Sequence, residues 1–302
     1  MINNRAGLIA TTALAPLAWG TTYATTTQFL PTGAPMLTAL LRALPAGLLL
    51  LAITRTLPRG QWWWKASVLG VLNVGAFFPL LFISAYRLPG GVAATVGAIQ
   101  PLIVVMLAHA WLGERATAVK LGAGAAGIAG VALLVLTPAA RLDGIGVAAA
   151  VGGAVLMAVG VTLTKLWRPP VPPLTLTAWQ LTAGGVFLIP IAALEGLPDA
   201  GFTTTNVVGY LWLGLAGTAV AYSLWFRGLG QLPASVAIFL SLLAAISAAT
   251  LGWIWLGEAL TPLQILGGML ALGAIAAGAF FSRQPAIPTD APTPRPAPVT
   301  EA

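Results

Sequence analysis

The stretch FISAYRLPGGVAATVGAIQPLIVVMLAHAWLGE at residues 82–114 returns 144 positions later as FRGLGQLPASVAIFLSLLAAISAATLGWIWLGE at residues 226–258. Leu88-Pro89-x-x-Val92-Ala93 opens the first copy and Leu232-Pro233-x-x-Val236-Ala237 the second. Trp111-Leu112-Gly113-Glu114 closes the first and Trp255-Leu256-Gly257-Glu258 the second, with Thr117 echoed by Thr261. Isolated Leu or Ala identities mean little in apolar sequence. A shared tetrapeptide in register with a shared opening motif marks an internal duplication. Leu69-Gly70 also returns as Leu213-Gly214. With small gaps, Leu41-Arg42 pairs with Trp179-Gln180 and Gly20 with Gly160.

The medium around this repeat follows from composition. Hydrophobic residues make up 58% of the 302 residues and charged residues 7%, where a soluble domain carries roughly 25% charged residues. Most of the outer surface must therefore face lipid. The net charge of +7 does not indicate a nucleic-acid partner, because the 14 cations are spread thinly through loops between apolar blocks. With no Cys, disulfides, thiolate metal sites and cysteine nucleophiles are excluded. The first apolar block is longer than a signal-peptide core and resembles the blocks after it, so it reads as a span.

A bilayer-crossing helix needs about 20 apolar residues. Ten segments meet that requirement, near 6–27, 34–54, 66–84, 91–111, 119–137, 144–164, 174–194, 207–226, 234–255 and 262–281. The expectation is an all-α integral membrane protein of ten helices. With the N-terminus inside, eleven Lys and Arg fall in inner segments and only Arg87 and Arg141 in outer loops. This positive-inside bias puts both termini in the cytoplasm. Trp62, Trp63 and Trp64 beside Lys65 fit an inner aromatic belt. Five spans per half is an odd number, so the second half enters the membrane inverted. The division is residues 1–137, 138–282 and a disordered Pro-rich cytoplasmic tail at 283–302. Inverted repeats suit alternating access; duplication for structural symmetry alone is the other reading.

These motifs, with Thr117-x-x-Lys120, Thr261-x-x-Gln264 and the Gly-rich helices behind them, resemble the EamA-type transporters of the drug/metabolite transporter superfamily. The likeness spans residues 6–282. In look the chain is most similar to bacterial amino-acid and metabolite exporters, including those for aromatic amino acids. The resemblance implies a ten-helix fold around a central cavity, export from the cytoplasm and a multi-pass location in the bacterial inner membrane. It implies a small-molecule substrate and membrane lipid as partners, in a monomer or weak homodimer.

The residues themselves nominate a site. Every acidic side chain lies away from the helix centres, and Arg42 is the one charge well inside a span. Such a charge should face a cavity or a partner. A substrate carboxylate, backbone carbonyls or water could meet it; alternatively it braces helix ends, as its repeat partner Gln180 could. Gln100 precedes Pro101, which removes a backbone donor and kinks the helix into a candidate cavity wall. Trp19, Phe78, Trp179, Tyr222 and Trp225 are aromatics within spans, suited to an amphiphilic molecule and its ammonium group; the other reading is that they pack against lipid or each other. Tyr23, Asn73 and Gln180 complete the candidate substrate-binding set, with Thr22, Thr162 and Ser241 behind them; Ser and Thr in spans often bond their own backbone. A site joining Arg42, Gln100 and such rings would suit a zwitterionic amino acid.

Other signals carry less. His109 near a span end reads as incidental rather than as a proton relay. Gly122-x-Gly124-x-x-Gly127 matches a dinucleotide fingerprint without a preceding strand, and serves close helix packing instead. No catalytic constellation, cofactor loop or metal-ligand cluster is present in the sequence. A multidrug exporter would favour a deep carboxylate, a sugar-phosphate antiporter deep cations in both halves, and a membrane enzyme clustered acid–base groups. A non-transporting scaffold would need neither the inverted repeat nor Gln100 beside a proline.

Overall fold

A computed structural model describes residues 2–88, 90–135, 143–197, 201–256 and 261–280, and every regular element among them is a helix. The expected tail at 283–302, the junction at residue 138, and Gly257-Glu258 of the second tetrapeptide lie outside the described residues. The first part of the chain comprises α1 (Ile2–Trp19), α2 (Thr22–Phe29), α3 (Pro35–Thr54), α4 (Trp62–Gly70), α5 (Phe77–Arg87), α6 (Gly90–Gly97), α7 (Gln100–Leu112) and α8 (Ala118–Val135). It continues with α9 (Gly144–Trp167), α10 (Pro173–Glu195), α11 (Thr204–Leu211), α12 (Ala221–Gln231), α13 (Ala234–Phe239), α14 (Leu243–Leu256) and α15 (Pro262–Phe280).

Eight continuous helical stretches among the described residues are long and apolar enough to cross a membrane. They are Pro35–Thr54, Trp62–Arg87, Val92–Leu112, Ala118–Val135, Gly144–Trp167, Pro173–Glu195, Thr204–Gln231 and Ala234–Leu251. Pro262–Gly278 is apolar but shorter. The expected first span is interrupted between α1 and α2, at Gly20-Thr21. At the interruption the chain lies close to α14: a Cβ on Gly20 would stand 2.6 Å from the Ala244 carbonyl oxygen, so only a residue without a side chain fits there.

Packing is antiparallel in four related pairs. Gly47 of α3 abuts Thr182 of α10, and Gly185 of α10 abuts Leu44. In the same way Gly130 of α8 meets Ala271 of α15, and Gly267 meets Leu134. Gly146 and Gly153 of α9 lie against Leu88, just past the end of α5, and Phe77, at its start. Thr12 of α1 meets Gly228 of α12, while Trp19 packs at a tilt against Tyr222. Lipid gives no hydrophobic drive for helix association, so close backbone approach through small residues supplies dispersion contacts instead.

The long helices are irregular at matching places. A π-helical segment at Val71–Gly75 joins α4 to α5, and another at Trp212–Val220 joins α11 to α12. The Ala76 amide reaches back to Val71, and that of Ala221 to Ala216, five residues in each case. Pro101 brings the expected break between α6 and α7; a 3-10 turn at Leu240–Leu242 divides α13 from α14. Such departures often mark functional segments; the break before α7 and the 3-10 turn border one cavity, through Gln100, Ser241 and Leu242.

Candidate functional site

The cavity has a volume of about 170 Å3. Trp19 of α1, Tyr23 of α2, Arg42 of α3, Ser84 of α5, Gln100 of α7, and Tyr222 and Trp225 of α12 line it. Ala and Gly from α6, α9 and α14 supply most of the remaining wall. Small residues there keep the backbones apart from the space without filling it. Arg42 is the one charged residue among the described lining residues.

Arg42 is 1% exposed. Its Nε donates to Thr218 Oγ1 at 2.8 Å, and Nη2 donates to the Gly217 carbonyl at 3.1 Å. The same carbonyl accepts from Trp19 Nε1 at 3.0 Å. The π-turn makes this sharing possible, because it takes the Gly217 carbonyl out of ordinary α-helical pairing. The guanidinium carbon stands 4.5 Å from the Phe78 ring centre and 5.9 Å from that of Phe82, so ring faces meet the charge where no carboxylate does. Among the described residues Nη1 has no hydrogen-bond partner. A buried donor of a charged group left unmade costs about 1–3 kcal/mol or more, so this nitrogen is a standing invitation to an acceptor.

An aromatic cluster surrounds the guanidinium. Trp19 lies 5.2 Å from Tyr222 and 5.1 Å from Trp225 between ring centres, and Tyr222 meets Phe78 edge-on at 5.7 Å. The Trp225 indole nitrogen and the Ser84 hydroxyl are buried and unpartnered beside the cavity. The walls are therefore apolar and aromatic, with a few uncommitted polar atoms, which is how small-molecule sites orient a ligand.

The structure brings Trp19, Tyr23, Arg42, Gln100 and Tyr222 together, with Thr22, Ser241 and Trp225 alongside. Phe78 stands behind them, fully buried between Arg42 and Tyr222. Asn73 and Gln180 lie apart from the cavity lining: Asn73 Nδ2 donates to Gln180 Oε1 at 2.6 Å, both side chains fully buried. Trp179 belongs to a separate cluster with Trp62 and Leu176, and its indole donates to the Thr56 carbonyl at 2.7 Å. Thr162 bonds its own helix at Ala158. Ser84, Gly217 and Thr218 escaped sequence reasoning. A hydroxyl in a span carries no distinguishing signal, and a bare carbonyl carries none at all.

Comparison with known proteins accords with this architecture. The EamA-like transporter family matches twice, over residues 6–136 and 144–278. Protein PecM of Dickeya dadantii (strain 3937) is 43% identical over 264 residues, spanning 86% of this chain and 88% of that protein. A probable terminal-alkyne amino-acid exporter of Streptantibioticus cattleyicolor is 26% identical, over 69% of this chain and 70% of its own length. An uncharacterized transporter, YwfM, of Bacillus subtilis (strain 168) is 30% identical over 90% of this chain. A solved crystal structure superposes with a TM-score of 0.78 at 19% identity, covering 91% of this chain and 99% of its own, and shares the fold. Apolar helices that cross a bilayer, a polar-studded cavity among them and two matches to one family converge: this multi-pass inner-membrane protein belongs to the EamA-like transporter family and transports small molecules.

Proposed function

We propose that the chain exports small zwitterionic or anionic metabolites, chiefly amino acids with aromatic or other apolar side chains. The observation that carries this is the unpartnered Nη1 of Arg42 beside an aromatic cavity with no acidic lining residue among the described residues. A substrate carboxylate supplies the missing acceptor and counter-charge in a charge-assisted pair. The rings of Trp19, Tyr222 and Trp225 receive the apolar side chain, and their faces suit an ammonium group. The volume is comparable to that which takes one benzene-sized ring in an engineered protein cavity. A relative bearing an amino-acid exporter name points to the same substrate class.

The transport mechanism in this reading is alternating access between two inverted five-helix repeats, within ten spans and with cytoplasmic termini. Two matches to one family model, at 6–136 and 144–278, support the two-repeat division. The paired irregularities support it too: residues 71–75 shifted by 144 fall inside Trp212–Val220. Antiparallel packing of α3 on α10 and of α8 on α15 is what inverted copies of one helix require. Orientation rests on the positive-inside bias and on the gathering of basic side chains at one end. There Lys65 Nζ lies 5.4–5.8 Å from the rings of Trp62, Trp64 and Trp167.

The test is flux. Purified protein in liposomes should move labelled phenylalanine, tryptophan or leucine down a gradient, with competition from other carboxylate-bearing apolar compounds and little from lipophilic cations. Flux of cations alone would favour a multidrug role, and absence of flux across a broad metabolite panel would overturn the proposal.

A further inference from the structure

Glu114 closes the Trp-Leu-Gly-Glu motif, and sequence reasoning gave it no task. Gly113 adopts a left-handed conformation (φ 69°) after α7 and turns the chain so that Glu114 points inward, where it is 6% exposed. Its carboxylate bonds to the other half of the molecule. Oε1 accepts from the Ala234 amide at 2.8 Å, and Oε2 accepts from the Ser235 amide at 3.4 Å and from the Ser235 hydroxyl. Ala234 and Ser235 form the first turn of α13, so an anion meets the positive end of a helix and fills donors that lack intrahelical partners. Lys120 Nζ at 3.8 Å, itself 5% exposed, balances the charge. Nδ1 of His109 fixes the backbone through the Glu114 carbonyl at 3.0 Å.

The position of this contact gives it meaning. Gln100 and Ser241 line the cavity. Glu114 lies fourteen residues beyond Gln100, roughly 20 Å along a helix. Between them α7 and α13 pack together, with Val104, Val105, Ala108, Val236 and Ile238 buried in one apolar cluster, an apolar plug. On the far side of Glu114 a second space, lined by Lys165, Arg168 and Gln231, reaches the same carboxylate. The cavity itself is displaced the other way, toward Tyr23, Ala94, Ala149 and Ala248.

We propose that Glu114 is the latch holding the cytoplasmic gate shut: its bonds to α13 clasp the two halves together, and their release lets α7 and α13 part so that the cavity opens inward. The device rests on the alternating-access reading above. A released carboxylate has somewhere to go, because Glu114 also borders the second space, alongside Lys165 and Arg168.

The absence of native cysteine permits a clean test. Ala108→Cys reports opening of the plug to a membrane-impermeant maleimide on the cytoplasmic face of inside-out vesicles. Ala245→Cys, in the cavity wall, reports access from the opposite face of right-side-out vesicles. In the full-length protein, Glu114→Ala should raise labelling at position 108 on the order of tenfold and lower it at 245. Ser235→Ala, which removes one donor and leaves the carboxylate, should move both in the same directions by less. Unchanged labelling at 108 in both variants overturns the latch. A rise at both positions also overturns it, since that reports general loosening. Liposome flux is scored separately: no flux with reciprocal labelling would defeat the substrate reading and keep the latch, and flux without reciprocity would do the opposite.

Discussion

Asn73 donates its amide to Gln180 at 2.6 Å in the middle of one helix pair. In the related pair, 144 positions from Asn73, the Gly217 carbonyl receives Nη2 of Arg42, the residue that sequence alignment sets against Gln180. Each π-helical segment thus presents a polar atom to the helix that crosses it. One crossing is neutral and closed; the other carries a charge and opens onto the cavity. The two segments therefore make one neutral, closed joint and one charged joint that lines the cavity.

The neutral joint should behave as a coupled pair in stability measurements. Removing either amide leaves its partner buried, and Asn73 Oδ1 and Gln180 Nε2 already lack partners. Asn73→Ala and Gln180→Ala should each cost about 1–3 kcal/mol. The double variant should cost less than the sum, by about 1 kcal/mol. Thermal unfolding in detergent measures the cycle, and strict additivity would show that the two amides do not act together.

The charged joint should separate binding from folding. Arg42→Lys keeps a positive charge but loses the planar fork that reaches Thr218 and Gly217 together and leaves Nη1 for substrate. Flux should fall at least tenfold, chiefly through a higher KM, and added phenylalanine should no longer raise the melting temperature. Arg42→Gln should abolish both responses. A variant that melts lower yet keeps substrate-dependent stabilisation would assign Arg42 to bracing alone.

The chain announced its helices, its repeat motifs and its deep arginine because each leaves a one-dimensional trace: apolar length, register and a charge where charges are expensive. Gln100-Pro101 belongs with these, since a proline break is written in the chain and the structure places α7 just there. The partners of Arg42 left no trace. Gly217 takes part through a carbonyl that only a π-turn frees, and helix periodicity does not distinguish π-turn from α-turn. Glu114 was legible as a motif and silent as a contact, because its acceptor role depends on the start of a helix 120 residues away. Trp179 shows the converse: an aromatic within a span reads like a pocket wall, yet its neighbours Trp62 and Leu176 make it part of a separate apolar cluster.

Two tryptophans should therefore respond differently to one substitution. Trp19→Phe keeps most of the ring but removes one of the two side-chain donors to the Gly217 carbonyl and alters the cavity wall, so KM for aromatic substrates should rise several-fold. Trp179→Phe loses the bond to Thr56 and should lower stability by about 1 kcal/mol with KM unchanged. Flux kinetics and melting curves on both proteins check the contrast; an equal KM change at position 179 would place the substrate path near the Trp62 cluster.

Glycines on the last helix of each half divide in the same way. A Cβ on Gly130 of α8 would stand 2.6 Å from the Ala271 backbone nitrogen and 2.8 Å from the Gly267 carbonyl oxygen, atoms of α15 that cannot swing aside. Gly130→Ala must push the two helices apart and should cost about 1–3 kcal/mol. Gly122, on the same helix, has nothing within 4 Å of its would-be Cβ and is exposed. Gly122→Ala should change stability by no more than about 0.5 kcal/mol. Melting temperatures in detergent distinguish the two. Because α8 lends the cavity Val131, beside Gly130, the first variant should also reduce flux while the second leaves it unaltered. Loss at Gly122 in a lipid bilayer but not in dilute detergent would instead locate a contact between copies of the chain on that exposed face.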